Sequence, residues 1–98
     1  METKDNKDNN IVYVGEKDRN AYLFAIQTQF GRSNDVIIKA RGKRIGKAVD
    51  IAEMAKRILT IFNIEITDIT TGTNSQENPE KPDRPFLVSE IAITLKKK

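Results

Sequence analysis

From Ile45 to Phe62 apolar residues return at helical spacing with no proline between them, and this segment constrains the fold more than any other. Read as a helix, it runs about five turns. Ile45, Ala48, Val49, Ala52, Ala55 and Leu59 fill one sector, and Ile51, Met54, Ile58, Ile61 and Phe62 widen it. At about 100° per residue these side chains span roughly 240°, whereas a helix lying on a sheet needs a stripe of only about 100°. Asp50, Glu53, Lys56, Arg57 and Thr60 make a narrow polar face. A lone two-layer domain leaves part of so wide a sector in water. The pattern predicts a homodimer that buries Ile51, Met54, Ile58 and Ile61. The competing assignment is that loops or another helix cover them.

The remaining segments supply the layer this helix lies on. Ile11-Val12-Tyr13-Val14 is a β-branched and aromatic run ending at Gly15, and reads as a first strand. Asp18 stands where an N-cap belongs. Tyr22, Ile26 and Phe30 then recur at i, i+4, i+8, the inward stripe of a first helix, with Gly31 placed as its C′ residue. Val36-Ile37-Ile38, within Asp35–Ala40, reads as a central strand. Ile64, Ile66 and Ile69 suggest a third, with a one-residue phase shift at Thr67-Asp68 of the kind a β-bulge produces. Thr73 to Pro85 holds all three prolines and reads as a long exposed loop. Leu87, Ile91, Ile93 and Leu95 alternate on a fourth strand. The order is β-α-β-α-β-β, an α/β two-layer fold. Right-handed crossovers pair the first strands in parallel, and the last two form a hairpin with a long arm. The result is a mixed four-stranded sheet with both helices on one face.

The 98 residues make one domain, expected over residues 11–98. Met1–Asn10 is polar and slightly acidic and reads as a disordered tail. It lacks the apolar core of a signal peptide, and no apolar run approaches the roughly 18 residues of a membrane span. An intracellular, cytoplasmic protein with no membrane partner is expected.

The absence of cysteine and histidine excludes disulfides, Cys/His zinc sites and any histidine-activated nucleophile. No Asp/Glu cluster has metal-ligand spacing, and neither G-x-G-x-x-G nor the P-loop pattern occurs. No cofactor, no metal and no enzyme activity are expected. The net charge of +3 says little, but its distribution says more. Val36–Arg57 carries seven cations against two carboxylates, hence +5, and the chain ends in three lysines. Local positive charge of this kind suits a polyanion.

The basic turn Lys39-Ala40-Arg41-Gly42-Lys43-Arg44, with Lys47 just beyond, lies between the second strand and the second helix. Gly42 permits a tight backbone there, and the helix start offers free N–H groups and a positive dipole end. A phosphate backbone fits that set, with the arginines able to bind it bidentately. The connector Gly15-Glu16-Lys17-Asp18-Arg19 follows a parallel neighbour of the second strand, so both connectors belong at one edge of the sheet. In the long loop, Arg84 is the cation best placed for a minor groove.

The segments Val36-Ile37-Ile38-Lys39-Ala40-Arg41-Gly42-Lys43 and Ile45-Gly46-Lys47-Ala48-Val49-Asp50 closely resemble the Alba family of archaeal DNA- and RNA-binding proteins. Asn10–Gly15, Tyr22, Ile64-Glu65-Ile66 and Glu90–Ile93 match that family more weakly. The resemblance implies a homodimer holding nucleic acid by the first connector, the basic turn and a hairpin arm in the minor groove. It places Lys17 on the second of the family's paired lysines, and Arg41, Lys43 and Lys47 on basic positions of the turn and helix. Arg84 falls near the arm's arginine. It makes Lys17 the candidate for acetylation and Leu59 a candidate contact between dimers. Two departures stand out: Glu16 replaces the first lysine of the pair, and the arm is acidic and proline-containing.

The expected function is architectural, chromosome-associated binding of double-stranded DNA and RNA, without sequence preference, through Lys17, Lys39, Arg41, Lys43, Arg44, Lys47 and Arg84. The rivals are a subunit of an RNA-processing ribonucleoprotein, and a protein-interaction or small-ligand domain with an incidental basic turn.

Overall fold

The structure, a computed structural model, describes residues 10–98. Six main elements follow in the order β1 (Ile11–Tyr13), α1 (Arg19–Phe30), β2 (Asp35–Arg41), α2 (Ile45–Ile58), β3 (Ile64–Gln76) and β4 (Phe86–Lys97). Short 3-10 turns, Gly42–Arg44 and Thr60–Phe62, flank α2. The sheet order is β1-β2-β4-β3, with β1 parallel to β2 and the other pairs antiparallel. The β-α-β-α-β-β fold with a mixed four-stranded sheet is therefore present as expected. The expected tail lies outside the described residues except for Asn10. That residue lies in a turn tied to the sheet, its carbonyl accepting from the Ile37 N–H at 2.8 Å and its amide donating to Asp35 at 3.2 Å.

Local chemistry sets the element ends. Asp18 is extended and its carboxylate accepts from the Ala21 N–H at 3.1 Å, so it caps α1 as its position suggested. Gly31 ends α1 in a right-handed conformation (φ −70°), not in the left-handed one usual for a C′ glycine. The second helix is shorter than its apolar spacing predicted. It stops at Ile58, Leu59 leaves helical angles, and a 3-10 turn carries Phe62 back to meet Phe30 with ring centroids 5.5 Å apart. Asn63 then takes φ 53°, a left-handed turn that asparagine tolerates, and leads into β3.

One sheet face carries the core. Val12, Val14, Val36, Ile38, Ala40, Ile91, Ile93 and Leu95 alternate toward α1 and α2 and meet Tyr22, Leu23, Ile26, Phe30, Ala48, Ala52 and Ala55. Ile51 belongs to this core with 0% exposure, which corrects its assignment to a dimer face. The sheet already claims the sector it shares with Ala48 and Ala55. Met54 is partly buried against the same core, whereas Ile58 and Ile61 (86% exposed) face outward.

The register of β3 on β4 shifts between Ile66 and Asp68, the bulge that the phase change indicated. Beyond it the hairpin is longer than expected. Thr73–Gln76 pair with Ser89–Phe86 as a ladder, so the loop shrinks to residues 77–85. That loop is organised around Asn78, whose side chain accepts from the Glu80 N–H at 3.1 Å and donates to the Arg84 carbonyl at 3.0 Å. The hairpin lengthens the molecule: the radius of gyration is 15.0 Å, against about 13 Å for a compact chain of this length.

Candidate nucleic-acid interface

Two connectors and the root of the hairpin share one edge of the sheet. Because β1 and β2 run parallel, the chain leaves both at the same edge, and Val14 N–H still donates to the Lys39 carbonyl at 2.9 Å. Arg41, the last residue of β2, stands opposite Glu90 of β4. The four hairpin pairs from Thr73↔Ser89 to Gln76↔Phe86 therefore project past the basic turn, a ribbon of roughly 14 Å.

Gly42 is left-handed (φ 55°), so the chain turns out of β2 at the one position where that conformation is free of strain. Arg41 and Lys43 on either side of it are exposed. No side chain caps the 3-10 turn or α2 behind it, and Gly46 on the first turn of α2 faces open space. Uncapped N–H groups, a helix dipole end and exposed cations thus meet at one place.

The first connector is held by a brace built from α1 and α2. The Tyr22 hydroxyl accepts from the Gly15 N–H at 2.6 Å and from the Lys17 N–H at 3.2 Å. The Lys47 ammonium donates to the Gly15 carbonyl at 3.0 Å and also to the Lys17 carbonyl, and lies 5.4 Å from the Tyr22 ring centroid. Lys47 was expected to face phosphate; in this structure it serves the connector instead. Lys17 keeps its side chain at the surface while its backbone is fixed on both sides. A Lys47→Met variant is expected to keep the fold and to speed amide exchange at Gly15 and Lys17 roughly tenfold, because charged hydrogen bonds that hold the connector are lost. Exchange measured residue by residue checks this.

The other expected residues divide. Arg44 is engaged by Glu16 in an ion pair of 3.0 Å, which spares the site the repulsion that a free carboxylate would bring. Lys39 lies on the sheet face away from the helices and lines a trough there, as does Arg41. Arg84 is exposed on the loop at the end of the ribbon, beyond the edge that carries the turn. The terminal lysines sit at the opposite edge, since Lys96 pairs with Asp35 at the start of β2. Lys97 donates to the Phe30 carbonyl at 2.9 Å and lies over the Phe62 ring, and Lys98 approaches Glu65 at 3.9 Å. In the sequence Tyr22 stood in the core stripe and among the weaker family matches, without a site role; its hydroxyl contacts come from residues brought together by the fold. Among the described residues no group of His, Cys, Asp or Glu could hold a metal, and no helix is long and apolar enough to cross a membrane.

The sequence profile of the Alba family matches residues 10–73, which include both connectors and the basic turn but not the end of the hairpin. The "DNA/RNA-binding protein Alba" of Thermoplasma volcanium is 52% identical over 48 residues, and the match spans 48% of this chain and about half (54%) of that protein's length. The protein of the same name from Methanococcus maripaludis is 47% identical over 66 residues, covering 64% of this chain and 72% of the other. The solved structure of Alba from Thermoplasma volcanium superposes with a TM-score of 0.78 at 39% identity, covering 89% of this chain and 99% of that one. ALBA1 from Trypanosoma brucei shares the fold, with a TM-score of 0.71 at 22% identity over 91% of this chain and 69% of that one.

Proposed function

The chain belongs to the Alba family, and from that we propose that it binds nucleic acid, holding duplex DNA or RNA by its phosphates as a chromosome-associated architectural protein. The observation that carries this reading is the convergence at one sheet edge of the braced connector with Lys17, the turn with Arg41 and Lys43, and the uncapped start of α2. The relatives' names, which say DNA/RNA-binding, support the choice of polyanion. Phosphate contacts carry no direct sequence information, so affinity independent of sequence is expected. Arg84, carried on the ribbon, is proposed to reach the adjacent minor groove.

We further propose that the active form is a homodimer. The outward-facing Ile58 and Ile61 support this, since the protomer leaves both uncovered. A dimer whose protomers each place Lys17, Arg41 and Lys43 on phosphates gives a slope of log K against log salt of roughly −5 on duplex DNA. Titration of two unrelated duplexes of equal length is expected to give that slope and equal affinities. A flat salt dependence would remove the proposal. Sedimentation at micromolar concentration is expected to give twice the chain mass, and a monomer would remove the dimer.

A further inference from the structure

The face of the sheet turned away from the helices holds a trough of about 460 Å³ beneath the basic turn. Its side chains come from alternate positions of every strand. Tyr13 and Lys39 stand opposite each other in register on β1 and β2, and Arg41 follows Lys39 on the same face. Glu90 projects from β4 opposite Gly72, whose missing side chain leaves room for the carboxylate. Asn74 donates to one oxygen of Glu90 at 2.8 Å and fixes it. Tyr13 is 68% exposed, whereas its neighbours Val12 and Val14 point into the core and are buried.

These features have a common chemistry. An exposed aromatic face beside two cations on one strand suits a planar heterocycle carrying phosphates on its flanks. Paired bases inside a duplex are covered on both faces by their neighbours and leave none for Tyr13, whereas an unpaired base can offer one. The Glu90 carboxylate, fixed by Asn74 and next to Arg41 across the β2–β4 pair, accepts hydrogen bonds from an exocyclic amino group. The trough also opens at the edge where the turn and connector lie, through Arg41 and Arg44, which belong to both.

We propose that this trough seats an unpaired nucleotide of a single strand, with Tyr13 as the stacking surface, Lys39 and Arg41 on the neighbouring phosphates, and Glu90 facing the base. The proposal deepens the nucleic-acid reading given above and rests on it. It adds a second mode of engagement, in which a strand end or bulge next to a bound duplex folds onto the open face of the sheet.

The test exploits the composition. The chain has two tyrosines and no tryptophan, and Tyr22 is buried. Both rings emit, but only the exposed Tyr13 can be quenched by a stacked base, so a loss of emission on binding reports on Tyr13. Addition of a single-stranded dodecanucleotide is expected to quench that emission in the wild type, and a blunt duplex of the same length is expected to leave it unchanged. Tyr13→Ala is expected to weaken single-strand binding about tenfold, in the range for loss of one stacked base, without altering duplex binding. Tyr13→Phe keeps a stacking face and is expected to bind the single strand like the wild type. Melting curves check that both variants fold. The proposal is overturned if Tyr13→Ala leaves single-strand affinity within twofold, or if it weakens both nucleic acids equally. It is also overturned if poly-glutamate quenches Tyr13 as the oligonucleotide does, because the trough would then be a seat for acidic peptide. Failure here with duplex binding intact and salt-dependent leaves the proposed function standing. Salt-independent duplex binding would remove that function instead, so the two failures are distinguishable.

Discussion

Replacing Arg41 and Lys43 together with alanine is expected to weaken duplex binding on the order of a hundredfold near 0.1 M salt, equally for every sequence. Both side chains are exposed beside the left-handed Gly42, so the replacements leave the core and the turn geometry intact. Each lost phosphate contact removes about 0.9 from the salt slope, and a dimer loses two per protomer. The slope should fall from roughly −5 to roughly −1 or −2. Titrations at several salt concentrations give affinity and slope together. A double variant that binds unchanged would move the site away from the turn. One that weakens a single sequence would show that the turn reads bases.

Glu16→Lys is expected to act in the opposite direction. In the wild type the Glu16 carboxylate lies 3.0 Å from the Arg44 guanidinium, at a place where its own side chain is 88% exposed. Phosphate must displace that carboxylate to reach Arg44. The substitution removes the competitor, releases Arg44 and adds a cation to the braced connector. Tighter duplex binding on the order of tenfold or more is expected, with a slope steeper by up to about two units per protomer. Glu16→Gln separates the effects, because it frees Arg44 without adding charge. If Glu16→Lys binds no more tightly at low salt, Arg44 does not face phosphate.

Local pattern made some features readable and left others hidden. The β-branched triplet Val36-Ile37-Ile38 and the cations behind it marked the strand and turn, because both signals lie within a few residues. The bulge was legible at Thr67-Asp68, since a one-residue phase change has few other causes. The end of α2 was not, because Ile61 and Phe62 continue the helical spacing after Leu59 has left the helix. The reason is tertiary: Phe62 meets Phe30. Thr73–Gln76 looked like loop because it is polar throughout, but beyond the helices a ribbon has no core to face, and its ladder to Phe86–Ser89 suffices. The helical wheel identified a wide apolar sector without saying which part meets the sheet, so Ile51 went to the wrong side. The contacts of Lys47 and Glu16 were hidden for a shared reason. Their partners lie about thirty residues away in the chain, at Gly15 and Lys17 for one and at Arg44 for the other.

The edge opposite the cations has a practical consequence. Asn10 contacts Asp35, and the Lys98 N–H donates to the Asn63 carbonyl at 3.0 Å, so both ends of the described chain emerge there, behind the latch of Lys97 on Phe30. A fluorophore or surface tether fixed at Lys98 would therefore stand behind the molecule and leave the edge that carries the proposed site toward solution. In that orientation the proposed duplex and single-strand contacts can be tested in turn without obstruction from the attachment.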